Sequence, residues 1–126
     1  MGRPRRPSRL AATEAELLAA VLELLALDNR VGWVARTNIG GRREAEGRYV
    51  RFGFAGMADI TGMMRDGRRL EVEVKSATGR VSPDQAAFLA RVDACGGVCG
   101  VVRSLEDVCD LLARATSSKD RLARRS

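Results

Sequence analysis

The sequence contains no histidine, and this absence narrows the chemistry open to the chain. Without an imidazole there is no Ser-His or Cys-His nucleophile pair, and no histidine can act as a general base. Any catalysis must therefore rest on carboxylates, on lysine and on a hard metal ion where one is bound.

Cysteine is also scarce, since Cys95, Cys99 and Cys109 are the only three in 126 residues. An odd number of cysteines is a poor disulfide framework. Three thiols without a histidine also fall short of the four ligands that structural zinc sites use. Cys95 and Cys99 are interpreted as small buried hydrophobic residues.

The sequence lacks long apolar runs, and none reaches the roughly 18–20 residues that a membrane-spanning helix needs. No secretory signal follows the N-terminal arginines and prolines. Almost all basic residues are arginine, with Lys75 and Lys119 the only lysines, a usage associated with phages and high-GC bacteria. The sequence therefore predicts a cytoplasmic protein, of a bacterial cell or a phage-infected host, that has no membrane partner.

The net charge of +6 is unevenly distributed. Residues 1–9 carry +4 and residues 116–126 carry +3, so that the intervening chain is close to neutral. We expect a flexible basic arm over 1–11, one domain over 12–115 and a basic tail over 116–126. Basic tails attract polyanions without reading their sequence, but they also serve as solubilising ends, and both interpretations stay open.

Periodicity and turn residues predict an α/β fold, in the order helix, four strands, helix, strand, helix. Thr13 with Glu16, and Ser82 with Gln85, have the spacing of capping boxes. Ser104 caps a last helix whose inward residues are expected to be Leu105, Val108, Cys109, Leu111 and Leu112. Residues 42–47 are expected to form a loop. The strands are predicted over 31–37, 48–52, 58–64, 69–75 and 98–103, and the helices over 13–29, 82–95 and from 104 onwards.

The predicted strand over 69–75 places Glu71, Glu73 and Lys75 on one face, because alternate side chains of a strand share a face. A hairpin around Asp66-Gly67 would pair position 59 near position 74 and bring Asp59 to Glu73 and Lys75. The alternative is an amphipathic strand with a solvated Glu-Glu-Lys face, since E-x-K alone is common. Asp59 one hairpin earlier, and the Gln85 helix that follows, favour a site.

Two adjacent carboxylates repel each other unless a cation lies between them. Mg²⁺ prefers such oxygen ligands and commonly uses one or two carboxylates with water and substrate phosphate. A lysine beside them can orient or deprotonate an attacking water, or stabilise the charge of a transition state. The predicted cofactor is therefore Mg²⁺, or Mn²⁺, and the residue types suit phosphodiester hydrolysis.

Four segments stand in a characteristic order and spacing: Gly56-Met57-Ala58-Asp59-Ile60, Glu73-Val74-Lys75, Gly79-Arg80-Val81-Ser82-Pro83-Asp84-Gln85 and Val101-Val102-Arg103. This series resembles the motifs of the VRR-NUC nucleases, within the PD-(D/E)XK restriction-endonuclease-like superfamily. The resemblance covers about residues 13–110 and extends to Asn38-Ile39-Gly40, which is similar to a segment of small stand-alone members.

The resemblance implies a restriction-endonuclease-like core, with a mixed central sheet flanked by helices. It also implies a role for each matching residue: Asp59 and Glu73 as metal ligands and Lys75 as the catalytic lysine. Glu14 matches a further acidic ligand on the first helix, for which Glu16 is the rival position. Gln85 matches a site glutamine, or it serves only as the capping partner of Ser82.

Two positions depart from the family pattern. Ser104 follows Arg103 where the family has a second arginine, which leaves Arg103 with either a phosphate-facing or a structural role. Ala58 precedes Asp59 where the superfamily has proline. Proline supplies backbone stiffness and no ligand atom, so this second departure weakens the resemblance little.

The resemblance implies a metal-dependent endodeoxyribonuclease that acts on branched or junction DNA as a homodimer. The alternatives are a DNA-binding module that uses the same fold without catalysis and, less favoured, an RNA-processing enzyme. Basic residues around the second connection are candidate contacts to the DNA backbone, although Glu44 and Glu46 among them equally suit an exposed mixed-charge loop. These candidates are Arg36, Arg42, Arg43, Arg48 and Arg51.

Overall fold

A computed structural model describes residues 13–37, 42–43, 49–50 and 55–117 of the chain. The predicted basic arm over 1–11 and the end of the chain from 118 lie outside the described residues, as does Asn38-Ile39-Gly40. The described residues contain three helices and six strands. The helices are α1 (Glu14–Leu27), α2 (Pro83–Ala94) and α3 (Leu105–Ala115), and the strands are β1 (Val31–Arg36), β2 (Arg42–Arg43), β3 (Tyr49–Val50), β4 (Ile60–Met64), β5 (Arg69–Val74) and β6 (Val98–Val102).

Both predicted capping boxes are present, and they fix where α1 and α2 begin. The Thr13 hydroxyl accepts from the Glu16 backbone N–H while the Glu16 carboxylate accepts from the Thr13 N–H, at 3.1 and 2.9 Å. The Ser82 hydroxyl and the Gln85 side chain make the same reciprocal pair, at 3.1 and 2.9 Å. Each box satisfies two backbone groups that a helix N-terminus otherwise leaves unpaired.

Four strands form the central sheet in the order β1-β4-β5-β6. The β1–β4 and β4–β5 pairs are antiparallel, and β6 joins β5 in parallel, so the sheet is mixed as predicted. The predicted hairpin around Asp66-Gly67 joins β4 to β5. Its register pairs Ile60 with Val72, one residue away from the predicted pairing of position 59 near 74.

The two faces of the sheet are covered differently. Ile60, Leu70 and Val72 point to the face that packs on α1 and α3, where the main core lies. The opposite face is packed by α2 over β5 and β6, with Phe88 and Val92 buried there. Among the described segments, no helix combines the length and the apolar character that a membrane span needs.

Four sequence-based expectations are wrong in detail. Arg42–Arg43 forms the short strand β2, where the sequence predicts a loop over 42–47, because these two residues pair antiparallel with Tyr49–Val50 of β3. Cys95 is exposed just beyond the C-terminal end of α2. Cys109 is also exposed, and Leu105 at the first position of α3 keeps 43% of its surface. The buried stripe of α3 instead follows one helical face, formed by Val108, Leu111, Leu112 and Ala115.

Gly56 lies where the chain approaches Asp59 and passes against the start of α2. Its φ of +87° is in the left-handed region, and a Cβ on it would lie 2.3 Å from the Asp84 carbonyl oxygen. Gly67 in the hairpin turn has a similar φ of +99°, but no atom lies within 4 Å of the corresponding point. A side chain at either position would therefore strain the backbone, but only a side chain at Gly56 would also clash with neighbouring atoms.

We expect Gly56→Ala to destabilise the fold more than Gly67→Ala. Both variants force a Cβ into the left-handed region at a cost of about 1–2 kcal/mol, and Gly56→Ala adds an overpacking cost of about 1–3 kcal/mol. Urea unfolding of the two variants and the wild type measures the difference. Equal losses of unfolding free energy would contradict the close approach of Gly56 to Asp84.

Candidate active site

Asp59, Glu73 and Lys75 meet at one end of the central sheet, where β1 and β5 end and β4 begins. One Asp59 carboxylate oxygen, Oδ2, accepts from the Val74 backbone N–H at 2.9 Å. The Asp59 carbonyl oxygen accepts from the Thr37 N–H at 2.8 Å, which ties the start of β4 to the end of β1. Two backbone contacts thus hold Asp59 beside the end of β5.

Glu73 is almost fully buried, with 2% of its surface exposed. Its Oε2 lies 3.3 Å from the Lys75 Nζ and accepts from the Gln85 amide at 2.7 Å. Its other oxygen, Oε1, is also buried and has no hydrogen-bond partner within the described residues. Leaving a buried carboxylate oxygen unsatisfied is costly, so this atom is a candidate ligand position.

The surroundings of Glu73 favour its protonated form in the absence of a cation. Burial and, next in size, the neighbouring Asp59 carboxylate raise the pKa of Glu73 from 4.5 to about 7, and Lys75 partly opposes both. The negative charge of the neighbouring Asp59 carboxylate thus disfavours the charged form of Glu73. The pair therefore binds a proton or a cation near neutral pH.

The burial of this strand face rules out a solvated Glu-Glu-Lys face. Glu71, on the same face as Glu73, is fully buried, and the Lys75 side chain keeps only 14% of its surface. One Glu71 oxygen accepts from the Thr61 hydroxyl and from the Arg69 Nε, while the other has no partner among the described residues. Buried acidic groups of this kind cost stability and are found where function requires them.

The Gln85 amide makes the capping contact and a contact to Glu73 at the same time, so the cap does not prevent a role at the site. Its amide oxygen accepts from the Ser82 N–H at 2.9 Å, and its amide nitrogen donates to Glu73 Oε2 at 2.7 Å. Only this orientation of the amide gives both partners the correct donor or acceptor. The N-terminus of α2 is thereby joined to the Glu73 carboxylate.

Glu14 lies next to this site but outside the carboxylate pair. Its Oε1 accepts from the Ser76 backbone N–H at 3.1 Å, directly after Lys75. Its rival Glu16 uses its carboxylate in the capping box with Thr13, whose hydrogen bonds lower the pKa of Glu16. Of the two acidic residues, Glu14 is the one that contacts the loop bearing Lys75.

Arg103 stabilises that loop, a contact that sequence reasoning left undecided. Its Nη1 donates to the carbonyl oxygens of Ser76 and Gly79, both at 2.7 Å. Since β6 lies parallel to β5, both strands end at the same edge of the sheet and Arg103 follows β6 at this edge. Thr37, with a buried hydroxyl that lacks a partner in the described part of the chain, was not proposed from the sequence at all.

The donor set suits a hard divalent cation. Asp59 and Glu73 are two adjacent carboxylates, and a buried oxygen of Glu73 has no protein partner among the residues described. Mg²⁺ needs only one or two protein carboxylates and completes its shell with water and substrate oxygens. Within the described residues no three acidic or cysteine side chains gather closely enough to hold a metal, so Glu14 does not complete a third ligand position.

The arginines expected to contact DNA are only partly described. Arg36 is exposed at the end of β1, the same end of the sheet as Asp59. Arg42 and Arg43 form β2, and Arg48 and Arg51 lie outside the described residues. Their role as DNA contacts stays a prediction.

We expect Glu73→Gln to stabilise the metal-free protein at alkaline pH. The folded-state pKa of Glu73, about 7, exceeds its ordinary value of 4.5. The stability gained by protonating Glu73 in the folded state is therefore fully present at low pH and is lost as the pH rises through about 7. This pKa shift corresponds to a difference of roughly 3 kcal/mol in the free energy of unfolding between low and high pH. Urea unfolding at pH 4.5 and pH 8 in EDTA measures the change, and an equal effect of the substitution at both values would contradict the shift.

Comparison with known proteins assigns the chain to a family. The VRR-NUC domain model matches residues 38–106, more than half of the 126 residues, and the match includes Asp59, Glu73, Lys75, Gln85 and Arg103. No curated protein and no solved structure matches the chain significantly. The mixed sheet with its flanking helices agrees with the restriction-endonuclease-like fold of this superfamily. The chain belongs to the VRR-NUC family, which are nucleases that act on DNA.

Proposed function

We propose that this protein is a metal-dependent endodeoxyribonuclease whose catalytic residues are Asp59, Glu73 and Lys75. The observation that carries the proposal is the adjacent Asp59–Glu73 pair, in which Glu73 is buried and its Oε2 lies 3.3 Å from the Lys75 Nζ. A protein that only bound DNA would gain nothing from this arrangement, because burying the Glu73 carboxylate beside that of Asp59 costs stability.

Asp59 and Glu73 would hold Mg²⁺ or Mn²⁺ at this edge of the sheet. A bound ion supplies Lewis-acid polarisation of a phosphoryl oxygen and lowers the pKa of a coordinated water. The Lys75 Nζ lies next to Glu73, where it would orient the attacking water and stabilise the negative charge that develops on the phosphoryl oxygens.

Three further residues position the catalytic side chains of Glu73 and Lys75. Gln85 fixes the Glu73 carboxylate by donating to the same oxygen that faces Lys75. Glu14 and Arg103 bind the backbone of the segment that follows Lys75, at Ser76 and at Gly79. Because catalytic geometry tolerates little displacement, we assign them a role in orientation.

We expect Asp59→Asn and Lys75→Ala to abolish DNA cleavage while the fold is retained. Asp59→Asn removes a ligand charge but can still accept from the Val74 N–H, and Lys75→Ala removes the only amine of the site. Losses of at least about 100-fold are expected for groups of this kind. Cleavage of linear and branched DNA with Mg²⁺, with Mn²⁺ and in EDTA measures the loss.

A matched control is Glu106→Gln, which removes a carboxylate from the exposed first turn of α3 on the other side of the sheet. Its activity should equal that of the wild type. DNA binding without metal-stimulated cleavage by the wild type would favour the non-catalytic alternative, and cleavage of RNA in preference to DNA would favour RNA processing.

We further propose that the substrate is branched duplex DNA and that the active form is a homodimer. A chain of 126 residues has little surface for grasping a junction, whereas two symmetric copies place two sites against two strands. The basic residues near both ends of the sequence would add contacts to the DNA backbone that do not depend on sequence.

We expect a four-way junction to be cut faster than a linear duplex of the same arm sequence. Sedimentation at the enzyme concentration of the assay should give twice the mass of the 13.6 kDa chain. Equal rates on the two DNAs would refute the branched-DNA preference, and a monomeric mass at full activity would refute the dimer.

A further inference from the structure

A basic pocket lies at the end of the sheet opposite to the candidate active site. It has a volume of about 510 Å³ and is formed between the hairpin turn that leads into β5 and the C-terminal half of α2. Three arginines line it together with an apolar floor and three glycines. The lining residues are Gly67, Arg68, Arg69, Phe88, Arg91, Val92, Cys95, Gly96 and Gly97.

The pocket and the active site share one face of β5. Arg69, Glu71 and Glu73 alternate along this strand, so their side chains leave the same face of the sheet, which α2 covers. Glu73 lies four positions after Arg69, a distance of about 13 Å along a strand. On each strand of duplex DNA one phosphate occurs per about 3.4 Å of helix axis, so this distance corresponds to about four base steps.

The charges of the pocket are only partly neutralised. Arg68 pairs with Asp66 at 2.9 Å, and Arg69 pairs through its Nε with the buried Glu71 at 2.8 Å. The Arg69 side chain is still 55% exposed, and its terminal nitrogens make no hydrogen bond within the described part of the chain. Arg91 is exposed, and its guanidinium has no ion pair or hydrogen bond among the residues that the structure describes.

The row of residues beside the pocket is also open. The sheet register places Trp33 beside Met63 and Met63 beside Arg69, across three strands. Trp33 and Met63 keep 51% and 40% of their surfaces exposed. Since α2 covers this face only over β5 and β6, a polyanion can reach Arg69 over the exposed Trp33 and Met63 of β1 and β4. Glu71, the acidic residue next to Arg69 on this face of β5, is buried and paired with Arg69.

We propose that the pocket binds a backbone phosphate of the DNA whose scissile phosphate lies at Asp59 and Glu73, with Arg91 and the terminal nitrogens of Arg69 as the donors. This inference rests on the proposed function and adds a second contact point about four base steps from the cut. Positive charge, exposure and a shared face with the active site distinguish this surface from the apolar core contacts of α2. Such a contact positions the duplex and does not read its sequence.

The first experiment compares Arg91→Ala with Arg114→Ala. Both arginines are exposed in the last turn of a helix and complement its dipole, but Arg114 is on α3, which packs on the other face of the sheet. Binding of a labelled linear duplex is measured by fluorescence anisotropy in EDTA over a series of KCl concentrations. Melting temperatures confirm that both variants are folded.

We expect Arg91→Ala to weaken binding about fivefold to tenfold at 0.1 M salt and to reduce the slope of log K against log salt by about 0.9, the effect of one lost phosphate contact. Arg114→Ala should leave both quantities near the wild-type values. Equal effects of the two substitutions would overturn the proposal, because they would mean that DNA affinity depends on the net charge of the protein and not on the position of Arg91.

The second experiment uses the cysteines of the wild-type chain. Cys95 is exposed and lines the pocket, whereas Cys109 is exposed on α3. Bound DNA should slow alkylation of Cys95 by N-ethylmaleimide in proportion to the bound fraction and leave Cys109 unchanged. Unaltered Cys95 reactivity at saturating DNA would overturn the proposal.

Both measurements are made without a divalent metal, so their results are separate from catalysis. If Arg91 and Cys95 respond while Asp59→Asn cuts like the wild type, the pocket is a DNA contact and the catalytic assignment is wrong. If Asp59→Asn is inactive and neither Arg91 nor Cys95 responds, the catalytic assignment stands and the pocket is not a DNA contact.

Discussion

The proximity of the buried Glu73 carboxylate to that of Asp59 is the constraint on which the rest of this end of the molecule depends. Burial of Glu73 and, next in size, the neighbouring Asp59 carboxylate raise the pKa of Glu73 to about 7. A lysine and a glutamine amide both face the same Glu73 oxygen and reduce this cost. A fold without a use for the pair would be more stable with an apolar residue in its place, so the surrounding elements are best understood as the support of a charged site.

That support comes from distant parts of the chain. The hairpin β4–β5 brings Asp59 and Glu73 together over a short stretch of sequence, so the pair forms wherever the hairpin forms. Lys75 belongs to a segment without regular structure, and its orientation needs partners from elsewhere. Glu14 reaches Ser76 across 62 positions, and Arg103 reaches the same residue across 27. These two contacts tie helix α1 and strand β6 to the loop that carries the lysine.

Local signals in the sequence predicted the elements, and nonlocal packing decided the rest. The capping boxes of Thr13 and Ser82 act over three residues, and the alternation of Glu73 and Lys75 follows from strand geometry alone, so all of these could be predicted. The burial of Glu71 and the exposure of Cys109 could not, because residue type does not say which face a neighbouring element covers. The contacts of Arg103 also lay beyond prediction, since they require the β6 strand to lie parallel to β5 and end at the same edge.

The mixed order of the sheet explains why the site lies at one edge. The C-terminal ends of β1, β5 and β6 and the start of β4 all meet there, so unpaired backbone groups and the residues that follow the strands converge on one place. Thr37, Asp59, Lys75 and Arg103 each lie directly beside a strand end. The side chain of a residue just outside a strand is not bound to the alternating directions of the strand, so loop contacts can set its orientation. Glu73 lies inside β5, and its orientation is fixed by the strand. The site therefore combines one fixed carboxylate with neighbours whose positions depend on hydrogen bonds to the loops.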